Sequence, residues 1–137
     1  LISFDGFVGL PYRDRGRDRD GLDCFGLLRL VYREALGIDL PSYAEDYVTA
    51  ADRREVAGLI SGQLDPWDRI EEGAEIPGDA LLMRNGRFAQ HVGVVVPRRR
   101  VLHIEMSGVT SRIEPYDHGP LAQRKAGFYR YRNSPPA

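Results

Sequence analysis

Counted from Cys24, apolar residues fall at Leu27, Leu28, Val31 and Ala35, the i, i+3, i+4, i+7, i+11 series of a helix with one apolar face. The series stops at Gly37, a residue suited to the left-handed turn that closes helices, and Asp23 stands where an N-cap is needed. The spacing therefore predicts a helix that begins at Cys24. Upstream, the apolar stretch Ile2 to Val8 predicts a short helix or strand leading into Gly9-Leu10-Pro11-Tyr12, where proline fixes the backbone and starts a loop. Arg13 to Asp20 alternates Arg with Asp around Gly16 and reads as a solvated loop with weak local ion pairs. After the irregular Leu40-Pro41-Ser42-Tyr43, Thr49 and Asp52 make a capping box for a second short helix ending near Ser61-Gly62. Trp67, among acids, is expected as a core anchor or lid.

From Asp79 the period changes to that of strands. Ala80-Leu81-Leu82-Met83 reads as a buried strand, Asn85-Gly86 is a hairpin turn signal, and Phe88 to Val96 follows as the next strand. Pro97-Arg98-Arg99-Arg100 is expected as an exposed hairpin tip leading into Val101 to Met106. Gly108 then breaks the chain before Val109 to Ile113, and Phe128 to Tyr131 supplies a last strand. A helix-rich half followed by an antiparallel meander is an α+β arrangement. One domain is expected over residues 1–132, with residues 133–137 as a flexible tail.

Composition narrows the function more than the fold. The 137 residues carry 42% hydrophobic and 28% charged side chains, as in an ordinary globular protein. A net charge of −1 gives no positive field to hold a phosphate backbone, so nucleic acid is not an expected partner. No apolar run approaches the ~18 residues of a membrane span. The chain begins at Leu1 rather than methionine and opens on no secretion signal, and such a signal could have been lost from that end. A single cysteine excludes an internal disulfide and a Cys-rich zinc site.

That cysteine is the first candidate for chemistry. In the first turn of a helix, unpaired backbone N–H groups and the positive end of the dipole favour thiolate over thiol, and the thiolate is the nucleophile. A lone cysteine on an apolar helical face is by itself more often a small buried core residue than a nucleophile. A nucleophile also needs a base to take its proton and a third group to hold that base. His91 opens the run Val92-Gly93-Val94-Val95-Val96, and His103 interrupts Leu102 and Ile104 on the next strand. His118, in Tyr116-Asp117-His118-Gly119-Pro120, is turn material. The two strand histidines can cooperate only under one geometric condition. With a four-residue loop placing Val96 opposite Val101 they project from opposite faces; an odd loop or a bulge is required.

The motifs together resemble the NlpC/P60 family of papain-like cysteine peptidases. The resemblance rests on Gly9-Leu10-Pro11-Tyr12, Asp23-Cys24-Phe25-Gly26-Leu27, Pro77-Gly78-Asp79, His91-Val92-Gly93-Val94 and Leu102-His103, with twelve-residue steps from Tyr12 to Cys24 and from His91 to His103. It spans about Phe7 to Tyr131. It implies a papain-like fold, with the nucleophile helix packed on an antiparallel sheet, and an endopeptidase for peptidoglycan stem peptides acting between D-γ-glutamate and diaminopimelate. Cys24, His91 and His103 would be catalytic, as nucleophile, base and orienting group. Tyr12, Asp23 and Phe25 would lie at the substrate, Asp23 meeting a free amine. Phe25 departs from the family's usual serine, which puts the usual substrate preference in question. The compact domain, the stretch from Tyr43 to Gly73 and the lack of a secretion signal resemble the phage-tail and gene-transfer-agent branch. Tail proteins are then the implied partners, and the virion or gene-transfer-agent tail the implied location, with assembly in the host cytoplasm and action in the periplasm or cell wall. No cofactor is implied; Cys24, His91 and His103 lack the paired spacing of a zinc site. The alternatives are a structural tail-tip component that binds peptidoglycan or tail proteins, and an acyltransferase or amidase on the same scaffold.

Overall fold

The computed structural model describes residues 2–41, 67–106 and 109–132. The helix α1, Cys24–Val31, begins where the pattern places it. Asp23 is its N-cap, extended at φ −94°, with its carboxylate accepting the backbone N–H of Gly26. The helical path continues over Tyr32–Leu36 as a wider π turn and closes at Gly37, which takes φ +70°. Upstream, Asp5–Phe7 forms one short 3-10 turn.

Arg13 to Asp20 is largely exposed, as its composition suggests, but Gly16 is buried, Arg17 is half-buried, and part of the segment is paired. Arg17–Asp18 (β1) pairs antiparallel with Gly21–Leu22 (β2), and the returning chain leads directly into Asp23 and Cys24. Gly16, Gly21 and Gly26 lie so close that a Cβ at Gly16 would strike the Gly21 carbonyl and one at Gly26 the Gly16 carbonyl. A charged segment docks here because its glycines let backbone approach backbone, a signal that net polarity hides.

Six strands form the main antiparallel sheet: β3 (Trp67–Ile70), β4 (Ala80–Asn85), β5 (Phe88–Val96), β6 (Arg100–His103), β7 (Arg112–Pro115) and β8 (Lys125–Tyr131). Their spatial order is β3-β8-β4-β5-β6-β7. β4 to β7 are thus the expected meander, but β8 inserts between β3 and β4, and β3 is a strand for which the sequence reading offered only Trp67 as a core anchor or lid. Asn85 pairs with Phe88 across a two-residue turn in which Gly86 takes φ +67°. Pro77-Gly78-Asp79 leads into β4. The Asp79 carboxylate accepts the Ile76 N–H at 2.8 Å and both arms of the Arg130 guanidinium at 2.9 Å, and Tyr32 donates to the Gly78 carbonyl at 2.5 Å.

The helix packs across β5 and β6. Leu27, Leu28, Leu30 and Val31 share one apolar cluster with Val92, Val94, Val96 and Leu102, while Leu81, Met83, Val95, Val101 and Phe128 form a second. Trp67 is a core anchor, its ring against Tyr32 and Tyr131 with centroids at 5.8 and 5.2 Å. Burial of such side chains, at about 25 cal/mol per Å² of apolar surface, is what fixes the helix on the sheet. Among the described residues no helix is long and apolar enough to cross a membrane. The helix expected from Thr49 to Ser61-Gly62, the break at Gly108 and the tail at 133–137 lie outside the described residues.

Candidate active site

Register brings the two strand histidines together. Val96 pairs with Arg100, so the β5–β6 loop is the three residues Pro97, Arg98 and Arg99, an odd number. The tight loop is closed by two arginines in the left-handed region, Arg98 at φ +66° and Arg99 at +54°. A bulge also falls at His91: Met83 pairs with His91 but Arg84 with Ala89. Ala89 packs with the helix cluster, as do Val92 and Val94, so the strand's alternation changes phase across this bulge. Bulges re-aim side chains in this way beside functional sites. The result is a hydrogen bond of 2.9 Å between His91 Nε2 and His103 Nδ1, with both residues buried. Gly93 makes room for it, since a Cβ there would stand 2.5 Å from Val101 Cγ2 and 3.1 Å from His103 Cβ.

The far side of His103 is held by a group that the sequence reading missed. His103 Nε2 lies 2.6 Å from Glu114 Oε2 on β7, and Arg112 Nε donates to the same oxygen at 2.8 Å. His103 pairs with Arg112, and Arg112 and Glu114 alternate onto one face of β7, a juxtaposition that only the pairing of β6 with β7 brings out. Burial pushes the His103 pKa below the ordinary histidine value, against the Glu114 contact, which works to raise it. Burial also works to raise the Glu114 pKa, but the hydrogen bonds from Arg112 and His103 outweigh it and hold the carboxyl below the ordinary value. His103 is thus neutral and Glu114 ionised near pH 7. A second carboxylate, Glu105, stands 3.8 Å from His91 Nε2 and is itself bonded to Arg124. Donor atoms of His91, His103 and Glu105 lie within 4.8 Å of one another, a spacing that a cation could bridge. The Arg124 guanidinium already supplies positive charge to that carboxylate and competes with any such ion.

Cys24 stands in the first turn of α1, the helix that packs across the strands of both histidines, and 1% of its surface is exposed. A substrate carbonyl therefore reaches its sulfur only when covering side chains move. Asp23 is placed differently from a group waiting for a substrate amine. Its carboxylate is fully buried and accepts from Gly26 N and Arg17 Nη1 at 2.9 Å each and from Arg15 N at 3.2 Å. An incoming ammonium would have to displace Arg17. Phe25 lies in the core rather than along an open pocket, with the Arg17 guanidinium 5.8 Å from its ring centroid. Tyr12 is half-buried and donates to Asp14 at 2.6 Å; its backbone bridges to Leu22, beside the helix start. His118 is exposed and paired with Asp117, apart from the other histidines. The arginine tip is exposed as its charge suggests, but Arg99 is engaged, bonded to Glu72 at 2.9 Å and lying over the Tyr116 ring.

A buried imidazole pair anchored by a carboxylate can accept and return a proton, and a helix N-terminus can favour a thiolate. Comparison with known proteins places the chain. The sequence profile of the NlpC/P60 family matches residues 9–130. The chain belongs to the NlpC/P60 family. Over 119 residues it is 26% identical to the murein DD-endopeptidase MepS/murein LD-carboxypeptidase of Escherichia coli K12, a match covering 85% of this chain and 55% of that protein. The chain thus spans about half the length of that relative. Among solved structures, an NlpC/P60 family protein from Bacillus cereus superposes with a TM-score of 0.69 at 20% identity, covering 93% of this chain and 37% of that one. The NlpC/P60 domain of the peptidoglycan hydrolase SagA gives 0.62 at 17% identity, covering 92% and 91%. The papain-like α+β fold expected of the NlpC/P60 family is the fold observed.

Proposed function

We propose that this NlpC/P60 chain is a cysteine peptidase that hydrolyses peptidoglycan stem peptides. The observation that carries the reading is the buried His91–His103 pair on two strands against which the Cys24 helix packs. Cys24 Sγ loses its proton to His91 Nδ1, since Nε2 is taken by His103, and attacks the amide carbonyl. The imidazolium then protonates the leaving amine, and water hydrolyses the resulting thioester. The Cys24 backbone N–H, in the first turn of α1, is placed to donate to the oxyanion, with Tyr12 at the substrate. His103 orients His91. Family membership and the printed activities of the MepS and SagA relatives support peptidoglycan as substrate.

The finer reading is a D-γ-glutamyl-diaminopimelate endopeptidase of a phage-like tail, opening the cell wall locally for DNA delivery. It rests on the sequence resemblance alone. One observation favours the structural alternative, a tail-tip component with little activity: Cys24, Asp23 and Phe25 are all closed off from solvent. Purified protein incubated with defined muropeptides, with products read by mass spectrometry, separates the readings. Cleavage that Cys24→Ala abolishes without altering the fold is expected, and the products name the bond. Cleavage that survives the substitution refutes the peptidase assignment.

A further inference from the structure

We propose that Glu114 is a fourth member of this site, a positioning residue that dictates through His103 which nitrogen of His91 faces the nucleophile as a base. The assignment of Cys24 and His91 as nucleophile and base rests on the function proposed above; the proton arrangement rests on the hydrogen bonds alone. Glu114, ionised and bonded to Arg112, can only accept, so the proton between it and His103 lies on His103 Nε2. His103 is neutral, so its Nδ1 carries no proton and must accept. The 2.9 Å bond then has one direction, from His91 Nε2–H to His103 Nδ1. A neutral His91 protonated on Nε2 has its lone pair on Nδ1. The carboxylate on β7 has thereby chosen the basic nitrogen on β5, through the strand between them.

The chemical step is a single proton transfer. The Cys24 S–H bond breaks, an N–H bond forms at His91 Nδ1, and the His91 imidazolium keeps its Nε2–H bond to His103. Its charge is offset through the polarised His103 by Glu114. Among the described residues, the charged and titratable groups that face His103 include His91 from β5, Glu105 from the chain after β6, and Arg112 and Glu114 from β7; those that face His91 include His103 and Glu105, with Cys24 as its partner in the proposed transfer. Glu105 is the rival anchor, but at 3.8 Å from His91 Nε2 it is beyond hydrogen-bond reach, and Arg124 holds it.

Nitrogen-detected NMR of the whole chain with labelled histidines tests the arrangement directly. Both His91 and His103 are expected protonated on Nε2, and a proton on His103 Nδ1 overturns the proposal. Because Cys24 is the only cysteine, its labelled β-carbon reports thiol against thiolate without requiring access to the sulfur. In Glu114→Gln the thiolate midpoint is expected to rise by about one pH unit, a tenfold weaker hold on the ion pair. Glu105→Gln should move it by clearly less. An unchanged midpoint in Glu114→Gln, or an equal shift in Glu105→Gln, overturns the assignment to Glu114. Wild-type protein that shows the expected tautomers and the Glu114-dependent midpoint but cleaves no muropeptide supports the relay and refutes the substrate reading instead.

Discussion

Gly93→Ala tests the packing that holds the histidine pair. A Cβ at this position would lie 2.5 Å from Val101 Cγ2, 2.9 Å from the Leu102 carbonyl oxygen and 3.1 Å from His103 Cβ. The first neighbour could change rotamer. The other two are fixed by the β5–β6 ladder, where Val94 pairs with Leu102 and Val95 with Val101, so β6 itself must shift. Forcing a methyl group into such packing costs ~1–3 kcal/mol, and rigid neighbours place this case toward the upper end, about 2–3 kcal/mol. For a chain of this size that lowers Tm by roughly 8–12 °C. The same shift would lengthen the His91–His103 bond, so muropeptide cleavage should fall further than the loss of folded protein explains. Gly6→Ala is the control, since nothing lies within 4 Å of its added Cβ. Calorimetry of the two variants beside wild type decides the matter: a Gly93→Ala protein that melts with wild type refutes the argument.

Two other outcomes follow from the charge layout. Asp79 is buried and held bidentately by Arg130, so Arg130→Ala strands a carboxylate and should destabilise by about 3 kcal/mol, whereas Arg132→Ala, which breaks an exposed pair with Asp68, should move a urea midpoint far less. Because burial keeps His103 neutral, its folded pKa lies below the ordinary 6.5, and the unfolded chain binds that proton first as pH falls. Stability should therefore be full above about pH 6.5 and decline below it, with Glu114 adding a further loss below its ordinary 4.5; urea midpoints that do not differ between about pH 7.5 and 5.5 would contradict this.

Much of the fold was legible because its signals are local. The 3.6 period from Cys24, the Asp23 cap, Gly37 and the Asn85-Gly86 turn each state their structure within a few residues. So was the condition on His91 and His103: side-chain alternation required an odd loop or a bulge between them, and the three-residue loop supplies it. What escaped depends on contacts between distant segments. Glu114 gains its meaning only once β7 lies beside β6. The Arg17–Asp23 pair converts a polar loop into a docked wall, and neither its burial nor the closure around Phe25 has a signature in composition. β3 escaped because its residues Trp67-Asp68-Arg69-Ile70 are half polar, and it is a strand only because β8 pairs with it.

The place of β8 has a consequence for how the protein is made. Residues 125–131 form the last described strand along the chain, yet they lie between β3 and β4 and pair with both. During translation Trp67 leaves the ribosome 64 residues before its ladder partner Tyr131, and until then β3 has no neighbour in the sheet and β4 presents an open edge. Nascent chains with such edges are prone to pair with one another, and long-range closure of this kind is slow. The sheet is therefore completed only after every other described strand has been synthesised, and synthesis halted anywhere before β8 yields a product that cannot complete it.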